Sequence, residues 1–153
     1  MSKNSLLFES VKSKFDTLAN ADNTLDQKAG TLMGFEIALI TGYLTLAFNG
    51  LQGVKLIEGI SGIVILIIST ILLLIIIWPR DYSSIIVDLS SNESYLSKKE
   101  QNLLLQLISD TQNACKNNKK NLDYKAKLFK ISITLLLVSS TLLSLSKLEQ
   151  FYI

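Results

Sequence analysis

Glu36 stands inside an otherwise uncharged block of the chain, Ala29 to Phe48. On a helix it lies eight residues past Lys28, about 12 Å further along the axis. An ionisable group at such a depth in a bilayer is costly unless it is paired, protonated or facing water. Two readings stand. Either Glu36 lines a water-filled path or sets the assembly, or it is a protonated or snorkelling carboxyl in a shallower span. At 100° per residue it projects toward Ile40 and Tyr43, away from the strip Gly30, Gly34, Ala38 and Gly42 that recurs every fourth residue. In lipid, where apolar side chains gain little by meeting, such a strip lets backbones approach, and it is expected to be a helix-packing face.

A later block carries Ser132, Thr134, Ser139, Ser140, Thr141 and Ser144 among leucines. These hydroxyls suit either a polar pore wall, centred on Ser139 and Ser140, or serine-rich packing with interhelical bonds of about 0.6–2 kcal/mol each. Lys116, Lys119 and Lys120 form a basic cluster. It fits a ligand or partner face for an anion, or a solvated surface.

Catalysis finds little to work with. The absence of histidine removes Ser-His-Asp and Cys-His chemistry and the commonest zinc ligand. Cys115 is the single cysteine, so it makes no internal disulfide and reads as a small apolar residue on a helix. Arg80 is the only arginine and no glycine-rich phosphate loop is present. The expectation is no catalytic, cofactor-binding or metal site, and no enzyme. A formal charge of +2 is too small to argue for nucleic acid.

The elements that position these residues are helices in a membrane. Hydrophobic residues make up 48% of the chain and charged ones 18%, and the apolar residues gather in blocks. The purest block, 57–78, carries no charge after Glu58 and ends at Trp78-Pro79-Arg80, where an interface aromatic, a helix breaker and a cation coincide. It contains almost no chemistry beyond Ser69 and Thr70, and is read as a wall facing lipid. Residues 1–28 have no compact apolar core and are not read as a cleaved signal. Instead Leu7, Val11, Phe15, Leu18, Leu25 and Ala29 mark an amphipathic, coiled-coil-like seam, with Asp22 on the stripe. Ser97 and Glu100 have capping-box spacing, and from there Leu104, Ile108, Thr111, Cys115, Asn118, Leu122, Lys125 and Phe129 continue three- and four-residue steps. Asn118 and Lys125 are expected to leave that part of the stripe wet.

The fold class expected is an all-α membrane protein with three transmembrane helices, two of them continuing cytoplasmic amphipathic helices. The segments are a cytoplasmic helix 1–28, spans 29–48, 57–78 and 128–146, an external turn 49–56, a cytoplasmic loop and long helix 79–127, and an external tail 147–153. Within 79–127 a short helix is expected around 85–89. Lysine and arginine fall overwhelmingly before the first span and between or beside the second and third, with only Lys55 and Lys147 on the other side. The positive-inside rule puts the N-terminus in the cytoplasm and the C-terminus outside the inner membrane. Small, hydroxyl-bearing faces on so small a unit point to a homo-oligomer in membrane lipid.

The stretch Leu18 to Phe35, with Asp26, Lys28 and Ala29 in an Asp-x-Lys-Ala arrangement, resembles the approach to the first span in Pycsar membrane effectors and related SLATT-type effectors. Trp78-Pro79-Arg80 is similar to the Pro-basic ending of their second span, and 110–129 to their cytoplasmic return helix. The resemblance implies an anti-phage effector that impairs the inner membrane by a pore or by permeabilisation when an infection signal arrives, with Asp26 and Lys28 as structural or trigger residues. The signal would come through a separate sensor protein or a nucleotide second messenger, since no appended sensor domain is recognisable. A membrane anchor or scaffold subunit, or a small constitutive channel, is the competing expectation.

Overall fold

A computed structural model describes residues 3–47, 54–79 and 100–148. They form three helices: α1 Lys3–Ala47, α2 Val54–Ile77 and α3 Glu100–Leu148. Of the external turn expected over 49–56, residues 49–53 lie outside the described residues, as do the short helix near 85–89, the cap at Ser97 and residues 149–153 of the tail, while 54–56 belong to the first turn of α2 instead. α1 and α3 are uninterrupted because neither contains a proline to break the i→i−4 ladder. α2 stops at Trp78-Pro79, where Trp78 makes the last backbone bond, to the Leu74 carbonyl at 2.9 Å.

Two helices, α2 over Leu56–Ile77 and α3 within Asn102–Ser146, are long and apolar enough to cross a bilayer. Contacts divide the chain into two units. Of the described residues, one contains 3–24, 79 and 100–124; the other contains 25–47, 54–78 and 125–148. In the second unit α1 and α3 run parallel, as the pairs Asp26–Lys125 and Tyr43–Ser146 require, and α2 antiparallel to both, as the approaches of Gly30 to Ile77 and of Tyr43 to Gly59 require.

The core of that second unit is layered. One apolar layer is Ala29, Leu73 and Ile76, with Leu25, Leu32, Met33, Leu128 and Phe129 against it. Another is Ile63, Leu66 and Leu143, with Leu39, Ile40, Tyr43 and Leu136. One face of α2, comprising Gly59, Gly62, Ile63, Leu66, Ser69, Leu73 and Ile76, is buried, whereas Ile60, Val64, Ile67, Ile68, Ile71 and Leu74 are exposed. The wall reading of 57–78 therefore holds for its outer face alone. Its inner face is the middle of the core.

The close approaches are also on α2. A Cβ at Gly62 would lie 2.8 Å from Leu143 Cδ2, and one at Gly59 would collide with the Tyr43 hydroxyl. The α1 strip behaves differently: Gly34 and Gly42 have no such neighbour within 4 Å, Ala38 is exposed, and only Gly30 nears another helix, at Ile77. Within one chain the strip Gly30, Gly34, Ala38 and Gly42 is not the packing face. The reason is angular, since the face carrying Ala29, Glu36 and Tyr43 is already turned to α2 and α3.

In the first unit, Val11, Phe15 and Leu18 of α1 are half-buried, and Ile108, Thr111, Ala114, Cys115 and Asn118 of α3 are buried. Phe8 takes the position expected for Leu7, which is exposed. Asn118 and Lys125, expected to be wet, are both buried.

Candidate functional site

Between the two apolar layers lies a polar one. Glu36 has no exposed surface. Ser69 Oγ donates to Glu36 Oε1 at 2.6 Å, and Thr70 Oγ1 donates to Glu36 Oε2 at 2.9 Å. Ser69 Oγ also lies 3.0 Å from the Ser132 carbonyl oxygen, which brings α3 into the group, and Thr70 Oγ1 lies 2.9 Å from the Leu66 carbonyl. Carboxylate, hydroxyls and carbonyls thus converge from all three helices. Burying a carboxylate without hydrogen bonds would be far more costly, and here both oxygens have a hydroxyl.

A second polar layer lies where α1 and α3 join this unit. Lys125 Nζ donates to Asp26 Oδ1 at 2.9 Å and Oδ2 at 3.1 Å, with the Lys125 side chain 5% exposed and that of Asp26 31%. A third layer is the Tyr43–Ser146 hydroxyl pair at 2.7 Å. On α3, the buried polar residues Thr111, Asn118, Lys125, Ser132, Ser139 and Ser146 follow one another every seven residues. A seven-residue repeat keeps side chains on one seam, and polar residues within such seams set register at a cost in stability.

The sequence-derived residues separate on this frame. Of the Asp-x-Lys-Ala group, Asp26 pairs with Lys125 and Ala29 is fully buried against Leu73 and Ile76, while Lys28 is exposed. Ser139 is buried on the seam, with its hydroxyl bonded to the Leu136 carbonyl. Ser140 turns away and bonds to the Leu137 carbonyl. The exposed Thr134, Thr141 and Ser144 likewise bond to their own helix. Sequence reasoning passed over Lys125, Ser132, Tyr43 and Ser146 as site residues. The signals were there: a seven-residue polar repeat in α3, and one Ser-Thr pair in the otherwise aliphatic stretch 63–77 of α2.

In the first unit, Val11, Lys14, Gln112, Cys115, Lys116 and Lys119 line a hollow of about 310 Å³. Lys116 and Lys119 share it, whereas Lys120 is exposed and does not line it. Burial pushes the Cys115 thiol above its ordinary range, an effect the Lys14 ammonium partly offsets. Among the described residues no group of histidine, cysteine and carboxylate side chains is placed to hold a metal ion.

The chain matches the family model of the Pycsar effector protein domain (PycTM) over residues 14–148. Comparison with curated proteins and with solved structures gives no match.

Proposed function

The chain belongs to the Pycsar effector family of anti-phage defence, and from that premise we propose an oligomeric inner-membrane effector. It is held quiet until an infection signal rearranges it, and then impairs the membrane as a pore or by permeabilisation. The observation that carries this reading is Glu36, a fully buried carboxylate set among hydroxyls between two apolar layers. The Asp26–Lys125 and Tyr43–Ser146 pairs already serve to set register, and in a helix that only anchors a partner apolar packing would replace such a group at lower cost.

In this reading the spans are 29–48, 57–78 and 128–146, with the N-terminus and 79–127 in the cytoplasm and 147–153 outside. The apolar length of α2 and α3 supports two of them. The packing of Ala29, Leu32, Met33, Leu39 and Ile40 of α1 against those two helices supports the first. Copies of the chain associate through outward faces, among them the open strip Gly34, Ala38 and Gly42 of α1. The signal arrives from a separate sensor protein or as a nucleotide second messenger at the face bearing Lys116, Lys119 and Lys120. The effector acts without catalytic turnover.

Induced expression in bacteria carrying a potential-sensitive dye tests the reading. Collapse of membrane potential on triggering or overproduction is the expected result. A harmless protein that co-purifies with one partner would instead favour the anchor or scaffold role, and depolarisation at native levels without any trigger would favour a constitutive channel.

A further inference from the structure

We propose that Glu36, Ser69 and Thr70, braced by the carbonyl of Ser132, form a binding site for a small monovalent metal cation of the sodium class. The inference deepens the effector reading of this site and rests on it for the membrane setting of this layer.

The ligand set is all oxygen. Glu36 Oε1 and Oε2, Ser69 Oγ and Thr70 Oγ1 supply it, and the Ser132 and Leu66 carbonyl oxygens, 3.0 and 2.9 Å from those hydroxyls, accept their protons. Carboxylate and hydroxyl oxygens suit hard cations, and nothing here would select a softer transition metal. The charge is also right for one monovalent ion. Among the described residues Glu36 makes no ion pair, and its hydrogen bonds there are those to Ser69 and Thr70. The ion pair Asp26–Lys125 is ten residues further toward the start of α1, about 15 Å along the axis. A single positive charge neutralises the layer, whereas a divalent ion would leave it charged in a low-dielectric setting.

The hydroxyl geometry adds an independent argument. Each hydroxyl has one proton and two lone pairs, yet each lies within bonding distance of a Glu36 oxygen and of a carbonyl. One proton does not serve both fully. With a cation beside the carboxylate, Ser69 donates to the Ser132 carbonyl and Thr70 to the Leu66 carbonyl, leaving hydroxyl lone pairs for the ion. Every polar group is then satisfied, and all three helices contribute. Ala29, Leu73 and Ile76 lie on one side of the site and Ile63, Leu66 and Leu143 on the other, with Thr70 half-buried at its edge.

The test uses the full chain in detergent micelles, following its thermal unfolding midpoint as choline chloride is replaced by sodium chloride at constant ionic strength. The expected result is a midpoint that rises with sodium, a rise lost in Glu36→Gln and Ser69→Ala and retained in Thr134→Ala, whose hydroxyl faces outward. Circular dichroism showing native helix content in choline establishes that Glu36→Gln folds. Indifference of the wild-type midpoint to sodium, or an equal response in Glu36→Gln, overturns the proposal. So does an infrared carboxylic-acid band, absent from Glu36→Gln, that persists at saturating sodium. A sodium response dependent on Glu36 in a protein that leaves membrane potential intact would retain the site and sink the effector reading. Depolarisation with no sodium response would do the reverse.

Discussion

Asp26 and Lys125 have unequal stakes in their ion pair. The Lys125 side chain is 5% exposed and that of Asp26 31%, so removing the carboxylate takes an ion-pair partner from a buried ammonium, while removing the ammonium leaves a carboxylate that water still reaches. Asp26→Asn is expected to destabilise the bundle by about 3 kcal/mol, near the lower end for breaking a buried pair. Lys125→Met, which keeps the apolar stem, is expected to cost about 1 kcal/mol, and the double variant less than Asp26→Asn alone. Chemical denaturation of the four proteins in one detergent measures these differences, and equal losses in both single variants would refute the asymmetry. At Cys115 the raised thiol pKa has its own consequence. Alkylation should be slow at neutral pH and accelerate only above the range of an ordinary cysteine, because the thiolate is the nucleophile. Lys14→Glu removes the offsetting cation and should push that acceleration to still higher pH, which labelling rates followed by mass spectrometry would reveal. These residue-scale effects were partly legible beforehand. Asp26 stood out in its motif and Lys125 on its stripe, but their pairing depends on a register between helices 99 residues apart in sequence.

Among the helices, small residues separate into two kinds. Gly62 faces Leu143 at a distance no Cβ tolerates unless the leucine shifts, whereas Gly34 faces open space. Gly62→Ala is therefore expected to cost about 1–3 kcal/mol through overpacking. Gly34→Ala should leave the fold of the single chain intact or raise its stability by up to about 1 kcal/mol through helix propensity. Unfolding midpoints of the two variants make the comparison, and a loss at Gly34 as large as at Gly62 would contradict the packing described. From sequence alone the regular four-residue strip on α1 was the stronger signal. It lost to Gly59 and Gly62 because α1 turns toward its neighbours the face that carries Glu36, and one helix face cannot do both.

At the level of the assembled protein, the proposals concern sidedness and association. Reporter fusions are expected to show the N-terminus in the cytoplasm and the C-terminus outside, so identical sidedness of the two ends would end the three-span topology. Chemical crosslinking in mild detergent is expected to give species larger than the monomer, and Gly34→Leu should reduce them without changing helix content, since the strip would lose its close approach. A strictly monomeric wild type at all concentrations would remove the association and leave the single-chain bundle as described.

The amino-acid sequence by itself determined that the chain is helical, that 57–78 is apolar enough to cross a bilayer, and that α1 and α3 run on without a break. These properties are local, set by the lack of internal proline and by runs of apolar residues. Family membership was legible too, in the Asp26 to Ala29 motif and the Trp78-Pro79-Arg80 ending. Only the tertiary structure decided which polar residues meet. Glu36 was conspicuous in one helix, but Ser69, Thr70 and the Ser132 carbonyl come to it from two others, through an antiparallel register and a parallel one that no local pattern encodes. The seven-residue polar repeat of α3 supplies candidates for every layer, and packing selects the partner each one receives.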